Sequence, residues 1–282
     1  MKQIQKLLIF FLTAFVLAAF ANATQEAATS TTPSIAEIKK RGVLRVGVTI
    51  DNPPFGFVDS GGKNQGYDVY FAKRIAKELL GSEEKIEFVP TTMGERAGLL
   101  ESERVDVIFA TYSITEDRKK LVDFASPYMK HAIGIVSSEE NRITSPTQLV
   151  GKRLSVIYDS TADTFFTSEY PNITLARYKD VESIYTALLE GEVDAAAHDN
   201  TVLLSWVVRH NGYRMGVRSL GKVTPIAPAV KKGNTELCDY LNTLLFKLGR
   251  EQFEHKAFYI TLQPFYGSRI APEEIVIEGG MY

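Results

Sequence analysis

The segment LLESERVDVIFA, from Leu99 to Ala110, recurs in outline further along the chain as LLEGEVDAAAHD, from Leu188 to Asp199. Each segment has the pattern of a helix end, an acidic turn and a strand that begins with Val-Asp. Around each of them the apolar periodicity gives the order strand, helix, strand, helix, strand, starting at Val43 and again at Arg153. The sequence therefore predicts an α/β protein with two lobes, each built on a parallel sheet covered by helices.

Composition limits the functions that this chain can have. Its 282 residues are 45% hydrophobic and 23% charged, which suits two modest lobes and is too apolar for disorder. A net charge of −2 gives no reason to expect nucleic acid or an anionic membrane as a partner. The single cysteine, Cys238, rules out an internal disulfide, and the four histidines lack metal-ligand spacing. We expect neither a metal nor a cofactor.

The N-terminal residues have the features of an export signal. Lys2 and Lys6 precede an apolar run from Leu7 to Ala21, which leads into the small-residue site Ala21-Asn22-Ala23. The run is shorter than the ~20 residues of a membrane-spanning helix. We therefore interpret residues 1–23 as a cleaved signal peptide and residues 24–34 as a flexible lead-in, with an uncleaved anchor as the less favoured alternative. No cysteine stands at the predicted cleavage site to carry a lipid, so we expect a periplasmic protein.

Polar residues follow the apolar strands of both lobes. In the first lobe they are Thr49–Asn52 and Thr111–Ser113, and in the second lobe Ser160–Thr161 and His198–Asp199. Ligands of open α/β sheets bind at the carboxyl ends of the strands. These positions therefore predict a small-molecule site in a cleft between the lobes.

Four stretches, taken together, resemble one family. They are TYSITEDRKKLVDFASPY, GYDVYFAKRIAKELLG, the sequence Pro53-Pro54-Phe55, and VDAAAHD. They are similar to the bacterial extracellular solute-binding proteins of family 3, the polar amino-acid receptors of ABC importers. The resemblance extends from Ile38 to Phe258. It implies the two-lobed periplasmic binding protein fold, in which two crossing strands join the lobes.

The resemblance also implies domain limits and partners. Lobe 1 would comprise residues 35–129 and 226–282, and lobe 2 would comprise residues 130–225. The protein would be a monomer without enzymatic activity that closes on a free amino acid and delivers it to the membrane permease of an ABC importer.

Carried over by position, the resemblance gives roles to individual residues. Arg118 would hold the ligand α-carboxylate through two parallel charge-assisted bonds, which lysine does not reproduce. Ser113 would add its backbone N–H and hydroxyl, and Thr161 another backbone N–H. Asp199 would pair with the ligand ammonium, assisted by the carbonyl of Thr111.

The predicted pocket for the ligand side chain departs from many relatives. Thr49 and Asn52 replace an acidic and an aromatic residue, which argues against basic ligands. Arg96 matches an arginine of acidic-amino-acid receptors, and His198 would lie across the cleft from it. This favours glutamate or aspartate, with glutamine next, although Arg96 is also compatible with a solvent-facing helix start. Met93 and Tyr158 would supply apolar walls of this pocket.

Two other functions fit parts of the same pattern. A periplasmic enzyme of this fold, such as a cyclohexadienyl-type dehydratase, would share the arginine and could use His198 as acid or base. A sensor module of a signalling protein is disfavoured, because no output domain follows Phe258 in this sequence.

Two segments do not follow the family pattern closely. The second crossing strand contains Pro225 and Pro228, and because proline lacks a backbone donor, we expect an edge or a bend there. The segment after Phe258 matches nothing in the family.

The signal-peptide hypothesis predicts that the exported protein begins near Thr24. The intact mass of protein recovered from the periplasm measures this directly. A mass that retains residues 1–23 would contradict the prediction.

Overall fold

The computed structural model describes residues 34–281, so the predicted signal peptide and nearly all of the predicted lead-in lie outside the described residues. The strands of the described part are short and follow one another along the chain in an α/β pattern. They are β1 (Leu44–Val48), β2 (Asp51–Asn52), β3 (Gly56–Val58), β4 (Asn64–Gln65), β5 (Ile86–Pro90), β6 (Val107–Ile108), β7 (Val122–Phe124), β8 (Met129–Ser138), β9 (Arg153–Ile157), β10 (Thr174–Tyr178), β11 (Ala195–Asp199), β12 (Tyr213–Ile226) and β13 (Ala229–Lys231).

Helices alternate with these strands and cover the sheets. They are α1 (Ile35–Arg41), α2 (Tyr67–Leu80), α3 (Arg96–Glu101), α4 (Glu116–Leu121), α5 (Thr161–Glu169), α6 (Val181–Leu189), α7 (Asn200–Val207), α8 (Thr235–Arg250), α9 (Phe253–Ala257), α10 (Gln263–Tyr266) and α11 (Pro272–Ile275). Short 3₁₀ segments lie at Pro146–Leu149 and Glu278–Gly280, and a π-helical turn lies at Phe258–Leu262.

Two five-stranded sheets form the two lobes. The first has the strand order β5-β1-β6-β13-β7 and the second β10-β9-β11-β8-β12. In each sheet the first three strands of this order pair in parallel, and the remaining two strand pairings are antiparallel. A small antiparallel sheet of β2, β3 and β4 lies beside the first. The two-lobed α/β prediction is therefore confirmed.

The recurring Val-Asp segments occupy equivalent places in the two lobes. Asp106, just before β6, accepts a hydrogen bond from the backbone N–H of Arg45 at 2.8 Å. Asp194, just before β11, accepts the equivalent bond from the N–H of Arg153 at 2.8 Å. In both lobes the aspartate thus ties the third parallel strand to the first, which explains why the same dipeptide stands at this step.

Helix α2 shows how the sequence determines one layer of the first lobe. Val69, Ala72, Ile75 and Leu79 are buried on one face, as their helical spacing requires. The helix ends where Gly81 adopts a left-handed conformation, with φ of +81°, and donates its N–H to the carbonyl of Lys77. The apolar spacing and the terminating glycine were both visible in the sequence.

Two antiparallel connections join the lobes. Residues 125–128 lead into β8, and residues 227–228 leave β12, and the N–H of Tyr128 bonds the carbonyl of Ile226 at 3.0 Å. Pro225 lies near the end of β12, which is the edge strand of its sheet. An edge position tolerates the missing donor of proline, as the sequence predicted.

The segment after Phe258 belongs to the fold. Val276 forms a β-bridge with Met129, and the N–H of Ile277 donates to the carbonyl of Tyr128 at 3.2 Å. The chain therefore returns to the point where β8 leaves the first lobe, and it covers one of the two connections between the lobes.

This C-terminal segment is anchored by a buried acid pair. Glu254 is fully buried, and burial, together with the neighbouring Glu278, raises its pKa to about 9. Glu278 accepts the backbone N–H groups of Glu254 and His255 and contacts the imidazole of His255. Glu254 is therefore protonated in the folded protein at neutral pH.

None of the helices within residues 34–281 is long and apolar enough to cross a membrane.

The raised pKa of Glu254 predicts a pH-dependent loss of stability. A carboxyl whose pKa is higher in the folded than in the unfolded protein binds its proton more tightly when folded, so stability falls as the pH rises toward about 9. We expect Glu254→Gln, a neutral isostere, to flatten this loss by up to ~1.4 kcal/mol per pH unit. Urea unfolding followed by circular dichroism at several pH values measures it. Glu251→Gln, at an exposed carboxylate, is the control; identical pH profiles for all three proteins would show that Glu254 is ionised when folded.

Candidate ligand-binding site

Arg118 lies where the two lobes meet. It is 8% exposed and belongs to the first turn of α4, where the side chain of Thr115 caps its backbone N–H. Its Nη1 donates to the carbonyl of Ser113 in the first lobe at 3.1 Å. Its Nη2 donates to the carbonyl of Asp159 in the second lobe at 2.7 Å. One guanidinium therefore holds both lobes.

Further contacts close the cleft on either side of Arg118. Asp51 accepts the N–H of Val181 at the start of α6 at 3.0 Å, and Ser205 donates its hydroxyl to the carbonyl of Pro53 at 3.1 Å. A cavity of about 600 Å³ opens beside Arg118 between α4 and α5. The lobes are thus in contact, and the polar strand ends between them are buried.

A second arginine, Arg96, is almost completely buried at 1% exposure. Its Nε donates to the carbonyl of Met93 at 2.8 Å, and its Nη1 donates to the carbonyl of Ala110 at 3.1 Å. Its Nη2 has no hydrogen-bond partner among the described residues. The alternative of a solvent-facing Arg96 is therefore wrong, and one buried donor nitrogen remains to be satisfied.

Both guanidiniums lie against the ring of Tyr112. The distance from the ring centroid to the guanidinium carbon is 4.0 Å for Arg96 and 5.0 Å for Arg118. Such contacts stabilise a buried cation by placing it near the electron-rich ring. They also bring two positive charges close together. Burial is the main cause that lowers the pKa of Arg96 to about 9, and the charge of the neighbouring Arg118 adds to it. Arg96 is therefore still charged at neutral pH.

The loop after β6 supports the first-lobe half of the site. Thr111 has a positive φ of 45°, which is uncommon for a residue with a side chain. Its N–H donates to Asp68 at 2.9 Å, and its hydroxyl accepts from the amide of Asn52 at 3.3 Å. Its carbonyl, expected to assist the ligand ammonium, faces Nη1 of Arg96 at 3.4 Å. The backbone conformation follows from these bonds on both sides.

Asp68 contributes a buried negative charge behind this loop. Burial raises its pKa to about 6, even though the hydroxyl of Tyr128 and the N–H of Thr111 both donate to it. At neutral pH it is therefore mostly ionised.

Asp199 provides the negative charge of the second lobe. It ends β11 and is 4% exposed. Burial alone would raise its pKa, but the imidazoles of His131 and His198 outweigh burial and hold the pKa far below its ordinary value. The Nδ1 of His131 lies 2.9 Å from Oδ1 of Asp199. Asp199 is thus ionised at any physiological pH.

A buried polar chain connects the two lobes through His131. The hydroxyl of Ser113 lies 2.9 Å from Nε2 of this imidazole, whose Nδ1 faces Asp199. Ser113 and His131 are 2% and 3% exposed. The predicted carboxylate-binding hydroxyl and the predicted ammonium-binding acid therefore contact the same side chain.

Most of the other residues predicted for the site are buried at the strand ends. Thr49 bonds the carbonyl of Gly56 at 3.3 Å, and Ser160 caps α5. Asn52 Oδ1 and His198 Nε2 are both buried, and the described part of the chain offers neither a hydrogen-bond partner. The hydroxyl of Thr161 contacts Asp199 at 3.4 Å.

Tyr158 differs from its predicted place. It is 64% exposed, and its ring lies near Gly94 of the first lobe instead of inside the buried site. Tyr158 directly follows β9, where the chain turns outward before the left-handed Asp159, with φ of +60°. Met93, the other predicted wall, is buried at 6% exposure.

Three residues of the site were not predicted. His131 stands in a long apolar strand, Tyr112 between two hydroxyl residues, and Asp68 at the start of a helix. Tyr112 and Asp68 lie inside the stretches that carry the family resemblance, but no chemical role was assigned to them there. His131 is one of a run of buried residues in β8, and nothing in the sequence distinguishes it from a core residue.

The chain belongs to the bacterial extracellular solute-binding proteins, family 3, which it matches over residues 44–256. Among curated relatives, the ABC transporter glutamine-binding protein GlnH of Bacillus subtilis is 30% identical over 217 residues, covering 76% of this chain and 79% of the relative. The resemblance found in the sequence is thereby confirmed. Proteins of this kind bind amino acids for ABC transporters.

Two solved structures are more similar in sequence. The cysteine-binding protein of Campylobacter jejuni is 45% identical, with a TM-score of 0.85, covering 86% of this chain and 98% of that protein. The L-cysteine receptor of Neisseria gonorrhoeae is 41% identical, with a TM-score of 0.86, covering 87% of this chain and all of that protein.

The position of Arg118 predicts the effect of a conservative substitution. Arg118→Lys keeps the charge but removes the planar pair of donors, so we expect amino-acid binding to weaken by about 1–3 kcal/mol. Isothermal titration calorimetry measures it. Lys120→Arg, at an exposed residue of the same helix, is the matched control and should bind as wild type does. Equal affinity of Arg118→Lys and wild type would exclude Arg118 from the ligand contacts.

Proposed function

We propose that this protein is a periplasmic receptor that binds one polar α-amino acid between its lobes and delivers it, as a monomer, to the permease of an ABC importer. Residues 35–129 with 226–282 would form one rigid half and residues 130–225 the other. One observation carries the proposal: Arg118 reaches the carbonyls of Ser113 and Asp159, one in each lobe. A bound carboxylate would compete for these donors and link ligand to closure.

The α-carboxylate and the ammonium would bind at opposite ends of the chain that runs through His131. Arg118 and the backbone N–H groups of Ser113 and Thr161 supply donors for the carboxylate. Asp199, held ionised by its histidine neighbours, supplies the acceptor for the ammonium. A zwitterion thus meets a positive and a negative group in the required order.

Charge limits the side chain of the ligand. Apart from the histidines, the buried charged groups of the site are two cations, Arg96 and Arg118, and two anions, Asp68 and Asp199. With neutral imidazoles their charges cancel at neutral pH. A zwitterion with a neutral side chain preserves this balance, whereas a second carboxylate leaves one negative charge uncompensated in a closed cleft.

We therefore place neutral polar amino acids first, and cysteine first among them. The two solved structures at 41% and 45% identity are an L-cysteine receptor and a cysteine-binding protein, and the relative at 30% identity, a glutamine-binding protein, supports glutamine as the next candidate. The free donors of Arg96 Nη2 and His198 Nε2 suit a side chain that offers an acceptor.

Glutamate or aspartate is the second candidate. Arg96 supports it, since this guanidinium is buried, charged and has a free nitrogen. However, backbone carbonyls accept hydrogen bonds from its Nε and Nη1. Arg96 therefore offers a ligand carboxylate one nitrogen and not a bidentate contact.

An enzyme on the same fold remains a competing function because of the Ser113, His131 and Asp199 arrangement. A hydroxyl 2.9 Å from an imidazole that contacts a carboxylate is the geometry of an activated nucleophile. Prolonged incubation with the bound amino acid, followed by mass spectrometry of the ligand, separates the functions. A receptor returns the ligand unchanged, and any product would establish turnover.

A thermal-shift panel of the twenty amino acids tests the function. L-cysteine should raise the melting temperature most, L-glutamine next and the acidic amino acids less at neutral pH. A ligand at 100 times its dissociation constant stabilises the folded protein by ~2.7 kcal/mol. D-cysteine is the matched control, because it exchanges the places of ammonium and side chain. A panel in which no amino acid shifts the melting temperature would contradict the proposed function.

A further inference from the structure

The hydrogen-bonding direction of Ser113 depends on the protonation of His131. Nδ1 of His131 lies 2.9 Å from Oδ1 of Asp199, at ion-pair distance though not aligned for a hydrogen bond, and a carboxylate this close favours the tautomer with its proton on Nδ1. In the neutral imidazole Nε2 is then an acceptor, and the hydroxyl of Ser113 must donate to it across 2.9 Å. In the imidazolium Nε2 donates to Ser113, whose own proton becomes free for a ligand carboxylate.

A proton on His131 can also compensate a negative charge that a ligand adds to the site. A neutral amino acid leaves the four buried charges of Arg96, Arg118, Asp68 and Asp199 balanced. An acidic amino acid adds one negative charge, and leaving a buried charge unpaired is strongly unfavourable. One proton on an imidazole restores neutrality. The same proton releases a Ser113 donor toward the ligand.

We propose that His131 takes up one proton when an acidic amino acid binds, and that it thereby sets the pH range in which this site accepts glutamate or aspartate. The inference rests on the proposed amino-acid binding function. It adds a second class of ligand to that function, together with the residue that selects it.

His198 is less suited to take this proton. Its Nδ1 accepts the backbone N–H of Asp199 at 2.6 Å, so a proton there would place two donors face to face. At His131, in contrast, Nε2 lies 2.9 Å from the hydroxyl of Ser113, and Nδ1 lies 2.9 Å from Oδ1 of Asp199, at ion-pair distance but not aligned for a hydrogen bond. The imidazolium is therefore better accommodated at His131 than at His198.

Different elements of the fold contribute the groups that lie around His131. Strand β11 contributes Asp199 and His198, and α4 contributes Arg118, which is bonded to the carbonyl of Ser113. Strand β12 places the uncharged Thr224 opposite His131. Asp199 is the negative group that lies against His131, and Arg118 is the positive group bonded to Ser113.

The test compares L-glutamate with its neutral isostere L-glutamine by isothermal titration calorimetry across the range of imidazole titration, about pH 5.5 to 8. The side chain of glutamate, with an ordinary pKa of ~4.3, stays ionised throughout in water. One proton taken up corresponds to ~tenfold tighter binding per unit of falling pH. We expect the dissociation constant of L-glutamate to fall at least ~tenfold between about pH 8 and pH 6 while that of L-glutamine stays constant.

Buffers of different ionisation enthalpy give the proton count directly in the wild-type protein. Near neutral pH we expect an uptake of up to one proton for L-glutamate and none for L-glutamine. Equal counts for the two ligands, or no glutamate binding at any pH in the range, would overturn the proposal. This measurement needs no variant.

Two substitutions locate the proton. His131→Gln places a permanent amide donor next to Ser113 and should abolish the uptake. His210→Gln is the matched control, because His210 stacks on Trp206 outside the site, with ring centroids 4.0 Å apart. Uptake that persists in His131→Gln would assign the proton to the ligand or to another group and refute the role of His131.

Failure of this inference is distinguishable from failure of the function. A wild-type protein that binds neutral amino acids without any difference between L-glutamate and L-glutamine contradicts the inference alone. A protein that binds no amino acid contradicts both.

Discussion

The structure depends on the burial of opposite charges in balanced numbers. Arg96 and Arg118 are held against Tyr112 by backbone carbonyls, and Asp68 and Asp199 are held by N–H, hydroxyl and imidazole groups. Buried charges persist only when they are paired or satisfied by hydrogen bonds. Because these partners come from both lobes and from several loops, the site is a property of the closed molecule.

The same arrangement explains how the two lobes are held together. The connections before β8 and after β12 lie side by side, and the C-terminal segment pairs with them at Met129. Arg118 adds a contact between the lobes through the carbonyl of Asp159. Under the proposed function, a ligand that bound groups of both lobes would favour the closed form, which is the physical requirement for ligand-coupled closure.

Particular residues show how far sequence reasoning reached. Ser113 and Asp199 follow apolar strands, and open α/β sheets bind ligands at the carboxyl ends of such strands, so both were expected in a cleft. Arg118 lies in helix α4, and its expected role came from the family resemblance. Tyr158 stands at a similar end, but its side chain is 64% exposed, and a left-handed residue, Asp159, follows it. The residue pattern of this strand end does not distinguish the exposed position from the buried ones.

The sequence by itself determined the two-lobed α/β architecture and the positions of the polar strand ends, because apolar periodicity and turn residues act locally. Its motifs also carried the resemblance to the family. Only the tertiary structure decided that Arg96 is buried with one free nitrogen and that His131 joins Ser113 to Asp199. Those contacts join residues from different strands and loops. The distances between these residues depend on how the two sheets pack and close. That packing depends on many side chains from distant parts of the sequence, so no short segment determines it.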